Sequence, residues 1–207
     1  MSVVTLIFEL IGTVAFSVSG ALVAIEKKMD LLGVIILGLM TAVGGGILRD
    51  MVLGQHPPQA LADPVYFLVA VLVSVLVFLP VVRNYIRAKQ KTFDIALLVM
   101  DSIGLGVFTV VGIAVSKAFA PQGNLLLQVC LGMLTAVGGG VIRDVLAGQT
   151  PFIFIKHFYA CASLVGALVC AGLWQVTGMM LSMIAGAVTV IVLRFLAAKF
   201  HWELPKS

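Results

Sequence analysis

Thr41-Ala-Val-Gly-Gly-Gly-Ile-Leu-Arg-Asp50 returns as Thr135-Ala-Val-Gly-Gly-Gly-Val-Ile-Arg-Asp144, with eight of ten positions identical and the other two exchanged among branched aliphatics. Gly54-Gln55-His56-Pro57 is answered by Gly148-Gln149-Thr150-Pro151 at the same offset of 94, so the copy includes the punctuation that ends the segment. Upstream, Glu9-x-x-Gly12-x-x-x-Phe16-x-x-x-Gly20 matches Asp101-x-x-Gly104-x-x-x-Phe108-x-x-x-Gly112 at an offset of 92. The chain reads as two related halves, with the two-residue difference absorbed in the loop between them.

Around these motifs the chain is apolar. Of 207 residues, 61% are hydrophobic and only 11% charged, and the mean hydropathy of +1.18 lies far outside the range of soluble domains. It reads as an integral membrane protein, which excludes most soluble enzyme classes. Seven candidate spans follow from hydropathy and breakers, at residues 3–25, 31–53, 64–82, 95–116, 124–147, 155–175 and 178–198, each near the ~20 residues that cross a bilayer. Backbone polar groups must be satisfied internally in hydrocarbon, and the alternating ten-residue strands of a barrel are absent, so the spans are expected to be helices.

Spans 1–3 correspond to spans 4–6 and span 7 is left over. Residues 1–88 then form a first three-helix repeat, 89–176 a second, and 177–207 a seventh helix and tail, all within one transmembrane domain. An odd number of spans per repeat inserts the second copy upside down relative to the first. Lys27, Lys28, Arg83, Arg87, Lys89, Lys91, Arg143, Lys156, Arg194, Lys199 and Lys206 collect on one side, against Arg49 and Lys117 on the other. This bias places the C-terminus in the cytoplasm and the N-terminus outside. The first twenty residues lack a basic leader and carry Glu9, so they read as an uncleaved span.

The net charge of +4 comes from short loops, where topology accounts for it, and gives no reason to expect a nucleic-acid partner. Cys130, Cys161 and Cys170 lie in apolar runs without CxxC spacing and read as buried free thiols. His56, His157 and His201 have no ligand spacing, so neither a metal nor a cofactor is expected. No Ser-His-Asp, HExxH or phosphate-loop pattern is present, and no enzymatic chemistry is expected.

Each glycine costs a helix about 1 kcal/mol relative to alanine, so Gly44-Gly45-Gly46 and Gly138-Gly139-Gly140 are weak points of order ~3 kcal/mol. The triplets predict a break in spans 2 and 5, where opened carbonyls or a half-helix N-terminus would face an ion or a carboxylate. For Gly12, Gly20, Gly104 and Gly112, close helix packing is the favoured reading. Arg49 and Asp50 stand about 100° apart on a helix, as do Arg143 and Asp144, so each is expected to find partners elsewhere. These four are read either as salt-bridged caps or as charges that gate a permeation path. Glu9 and Asp101 sit inside their spans, where an ionisable group faces a cavity or pairs with the arginines of the other half. Lys117 reads as a snorkelling anchor or a further pore charge. Thr41, Thr135, Ser17 and Thr109 are candidate pore hydroxyls, with bonding to the preceding helical turn the commoner fate of such groups.

The doubled Thr-Ala-Val-Gly-Gly-Gly-x-x-Arg-Asp, the acidic-x-x-Gly-x-x-x-Phe opening of each half and the seven spans resemble the prokaryotic branch of the trimeric intracellular cation (TRIC) channel family over essentially the whole chain. The resemblance implies a homotrimer in the inner membrane, surrounded by lipid, with a pore in each subunit around kinked spans 2 and 5 that conducts K⁺ and Na⁺. Animal members carry a Lys-Glu-Val signature where this chain has Arg143-Asp144-Val145, so their lipid regulation is not carried over. Bacterial relatives are also described as glycine transporters, which makes a carrier of a small amino acid the second reading.

Overall fold

Short polar side chains at the helix starts set the frame. The Ser2 hydroxyl accepts from the Thr5 amide at 3.2 Å, Asp30 from the Gly33 amide at 2.8 Å and Asn124 from the Leu127 amide at 2.9 Å, each satisfying a donor that the first helical turn leaves unpaired. Asp30 and Asn124 lie 94 residues apart, so the caps repeat along with the motif.

The computed structural model describes residues 2–87, 90–121, 123–155 and 158–202. Lys89, Lys156, His157 and Lys206, used above for orientation and ligand spacing, lie outside the described residues, as does the side chain of Arg87. Among those described the chain is all helical: α1 (Val3–Glu26), α2 (Leu31–Val52), α3 (Gln59–Ala62), α4 (Pro64–Phe78), α5 (Pro80–Arg87), α6 (Gln90–Phe119), α7 (Leu125–Leu146), α8 (Phe152–Ile155) and α9 (Tyr159–Phe200). Helices α1, α2, α6, α7 and α9 are long and apolar enough to cross a membrane, and α4 is a shorter apolar helix.

One span differs from the sequence reading. The third span is interrupted at Pro80, where the helix ends at Leu79 in an extended conformation and restarts, because proline supplies no amide to the preceding turn. The sixth and seventh spans, labelled together α9, are two helical segments that meet in a kink at Gly178 (φ 75°, ψ 176°), the residue at which the seventh span is expected to begin. That left-handed backbone is open to glycine at little cost.

The expected breaks in spans 2 and 5 are absent. Helices α2 and α7 run through Gly44–Gly46 and Gly138–Gly140 as uninterrupted α-helix. The energies explain the correction: three glycines weaken a helix by roughly 3 kcal/mol in total, whereas each backbone group left unpaired in hydrocarbon costs several. The triplets serve approach instead. A Cβ on Gly45 would run into the Thr135 carbonyl, and one on Gly139 into the Thr41 carbonyl. Gly44 likewise meets Ile142 while Gly138 meets Leu48.

The same exchange of equivalent positions holds between α1 and α6. Gly12 receives the Phe108 ring and Gly104 the Phe16 ring, with the two rings 5.2 Å apart between centroids. Gly20 seats Thr41 and the Leu37 carbonyl, and Gly112 seats Thr135 and the Leu131 carbonyl, so the packing role expected for these four glycines is what they perform. Helices α1, α2, α6 and α7 thus form the centre, with α4 against α1 and α2, and α9 against α6 and α7. Cys170 is buried, but Cys130 is exposed on α7. An apolar run identifies a lipid-compatible residue without telling which face it occupies.

Candidate functional site

Each half ends its glycine helix in the same way. Gly54 (φ 70°) and Gly148 (φ 65°) take the left-handed conformation just beyond α2 and α7. The Gln55 amide returns to the Asp50 carbonyl at 2.9 Å and the Gln149 amide to the Asp144 carbonyl at 3.0 Å, closing a Schellman turn. The turn leads directly into a short helix whose first amide points back at the aspartate. Gln59 N donates to Asp50 Oδ2 at 2.9 Å and Phe152 N to Asp144 Oδ2 at 2.7 Å. The repeated Arg-Asp…Gly-Gln…Pro string is therefore a device that fixes an aspartate between two helices.

The arginines pair with those same aspartates. Arg49 Nε lies 2.8 Å from Asp50 Oδ1 and Arg143 Nε 2.8 Å from Asp144 Oδ1, which corrects the expectation that sequence neighbours must look elsewhere. The 100° separation holds for Cα–Cβ directions, but three methylenes let the guanidinium swing around the helix to its neighbour. The arginine then reaches the acidic residue of its own half, not the other: Arg49 Nη1 to Glu9 Oε1 at 3.5 Å and Arg143 Nη1 to Asp101 Oδ1 at 2.6 Å.

In the first half α1, α2, α3 and α4 converge. Tyr66 donates its hydroxyl to Glu9 Oε2 at 2.5 Å and accepts from Gln59 Nε2 at 3.3 Å. A cavity of about 30 Å³ adjoins the cluster and is lined by Glu9, Thr13, Gly46, Arg49, Tyr66 and Phe108 among others. At roughly 10–15 Å³ per water-sized body, that volume takes about two waters.

In the second half α1, α6, α7 and α9 converge. Arg143 donates to Ser19 Oγ at 2.5 Å, Ser19 to Asp101 Oδ1 at 3.4 Å, and Tyr159 to Asp101 Oδ1 at 3.4 Å. Gln149 Nε2 donates to Asp144 Oδ1 at 3.0 Å. A second cation arrives from far along the chain: Arg194 Nη2 is 3.8 Å from Asp101 Oδ2, with its guanidinium 4.7 Å over the Tyr159 ring. Arg143 packs over the Phe152 ring at 4.5 Å. Asp101, Arg143, Asp144 and Arg194 are all buried.

Glu9 and Ser19 both lie on α1, ten residues or about 15 Å apart along the axis, so the clusters sit at opposite ends of the four-helix centre. Between them stand Phe16, Phe108 and the crossing of α2 with α7.

The remaining expected site residues are placed differently. Thr41, Thr135 and Thr109 donate to Leu37, Leu131 and Leu105 carbonyls at 2.6, 2.6 and 2.7 Å. Thr109 also meets Ser163 at 2.8 Å, and Ser17 donates to the Ala70 carbonyl at 3.2 Å. All four hydroxyls are buried; Thr41 and Thr135 bond the preceding turn of their own helices, while Thr109 ties α6 to α9 and Ser17 ties α1 to α4. Lys117 belongs to neither cluster and lies 5.3 Å over the Trp174 ring at the end of α6. Sequence reasoning missed Tyr66, Tyr159 and Arg194. The two tyrosines stand 93 residues apart, so extending the repeat one span further would have found them. Arg194 carries no such signal.

Known proteins share this fold and much of this sequence. A family model described as glycine transporter matches residues 6–81 and 98–175. The inner membrane protein YadS of Escherichia coli (strain K12), a UPF0126 protein, is 38% identical over 199 residues, covering 95% of this chain and 93% of that one. A TRIC cation channel solved to explain conductance superposes with a TM-score of 0.83 at 38% identity, covering 97% of this chain and 96% of that one. The trimeric intracellular cation channel orthologue of Rhodobacter sphaeroides superposes with a TM-score of 0.87 at 31% identity, covering 97% and 100%.

Proposed function

This chain belongs to the prokaryotic TRIC family, and from that premise we propose that it is a monovalent cation channel of the inner membrane, with K⁺ and Na⁺ as permeant ions. The solved relatives named above are cation channels. The observation that carries the reading is the pair of buried charged clusters, each offering carboxylates, about 15 Å apart on either side of Phe16, Phe108 and the glycine crossing of α2 with α7. An arginine beside a cation path would repel the ion, but Arg49 and Arg143 are each held by two carboxylates, so neither presents a bare positive charge.

In this reading residues 1–88 and 89–176 are inverted three-helix repeats and 177–207 supply the seventh helix and tail, with α9 counted as two spans across Gly178. The exchange of contacts between Gly12–Phe108 and Gly104–Phe16, and between Gly45–Thr135 and Gly139–Thr41, supports a two-fold axis in the membrane plane. The pore runs within each subunit of a homotrimer in lipid, beside α2 and α7, from the Glu9 cluster to the Asp101 cluster. The N-terminus lies outside and the C-terminus in the cytoplasm. The Phe16 and Phe108 rings close the passage in the conformation described above.

A glycine carrier is the competing reading, and the family model carries that description. Its mechanism asks for half-helix N-termini to hold a carboxylate at the triplets, and α2 and α7 are continuous there. Reconstituted protein separates the two. Stepwise K⁺ current in a planar bilayer is expected; saturable counterflow of labelled glycine without current steps would replace the channel by the carrier.

A further inference from the structure

The two clusters share a plan but not a charge. Asp101 and Asp144 face Arg143 and Arg194, two carboxylates against two guanidiniums. Among the described residues, Glu9 and Asp50 face Arg49 alone. Arg194 comes from the part of α9 that has no counterpart in the first half, so the imbalance is built into the topology.

Equivalent positions differ in chemistry along the same line. Thr13 corresponds to Leu105 at the offset of 92, and Gln59 performs the capping role that Phe152 performs in the second half. At these two positions the first cluster has oxygen-bearing side chains where the second has hydrocarbon, whereas Ser19 of the second cluster corresponds to Val111. Thr13 is 2% exposed and lines the cavity, and its hydroxyl has no hydrogen bond among the described residues, whereas Thr41, Thr109 and Thr135 each bond a carbonyl one turn back. In the second cluster the guanidinium of Arg194 lies over the tyrosine and beside the acid; in the first, the cavity beside Glu9 and Tyr66 has room for about two water-sized bodies.

We infer that the Glu9 cluster binds one monovalent cation, with at most a water or so of its hydration, in the role that the Arg194 guanidinium plays beside Asp101. Glu9 supplies charge, and Thr13, Gln59 and Tyr66 supply neutral oxygens that replace lost waters. One half of the molecule carries its cation on a tether and the other takes it from solution. The identity of the ion rests on the channel reading above; the existence of the site does not.

The test is equilibrium binding of Rb⁺ to the purified full chain in detergent, with N-methylglucamine chloride holding ionic strength. The expected result is about one Rb⁺ per chain, displaced by K⁺ or Na⁺, with affinity lowered about tenfold or more in Glu9→Gln. Thr13→Val keeps every charge and nearly every atom, so it decides the matter where Glu9→Gln fails to fold; it is expected to weaken Rb⁺ several-fold. Absence of bound Rb⁺ in the wild type, or equal binding in both variants, overturns the site. So does an infrared carbonyl band of a protonated acid that vanishes in Glu9→Gln, because a neutral Glu9 leaves no charge to balance. Unitary K⁺ current without an Rb⁺ site would discard the site and keep the channel. A saturable Rb⁺ site in a protein that passes no current would do the reverse.

Discussion

Arg143 gathers Asp101, Asp144 and Ser19 around one guanidinium that is 0% exposed. Removing one partner of a buried pair leaves uncompensated charge, typically costing about 3–5 kcal/mol. Arg143→Met is therefore expected to lose that much stability or to fail to assemble, as read by thermal unfolding in detergent. Unfolding at the wild-type temperature would show that the cluster is not a structural tie. Tyr66→Phe removes the hydroxyl bonded to Glu9 and is expected to cost about 1.5–3 kcal/mol, the range for hydrogen bonds to charged groups; an unchanged melting temperature would contradict the bond. The sequence made Glu9, Arg49, Asp50, Asp101, Arg143 and Asp144 legible because ionisable groups in apolar spans stand out. It did not make their pairing legible. Cα–Cβ directions said that Arg49 and Asp50 point apart, and the reach of the arginine arm overrode them.

For the helices, the question is what a glycine triplet does. Propensity alone points to a break, and the continuous α2 and α7 show packing and hydrogen-bond conservation prevailing. The three positions are not equivalent. A Cβ on Gly45 strikes the Thr135 carbonyl, while on Gly46 its nearest neighbour is the Arg49 Nη2 at 3.8 Å. Gly45→Ala is expected to push α2 from α7 and to destabilise by roughly 1–3 kcal/mol or more. Gly46→Ala is expected to leave stability unchanged or raise it by up to about 1 kcal/mol through helix propensity. Thermal unfolding of both variants checks the pair, and equal losses would restore the broken-helix picture. The Schellman turns at Gly54 and Gly148 were visible as repeated punctuation; the bond from each turn's following helix back to the aspartate was not, since it depends on where the chain goes next.

Across the whole molecule, the duplicated motif pointed to a two-half plan, and the contacts between α1 and α6 and between α2 and α7 exchange equivalent residues of the motif. What the repeat concealed is the asymmetry: Arg194 lies beyond Gly178 in α9, past the last residues that the duplicated motifs cover, and a comparison of the motifs is blind to it. In the channel account the Phe16 and Phe108 rings, 5.2 Å apart, are the barrier between the clusters. Phe108→Ala is then expected to raise open probability in bilayer recordings, and unchanged or lower activity in folded protein would move the barrier elsewhere. The most direct test of the account is the reversal potential of unitary current from purified wild-type protein across a steep KCl gradient. The account predicts reversal close to the K⁺ equilibrium potential; reversal at the Cl⁻ potential, or no current from protein shown to be inserted and folded, would contradict it.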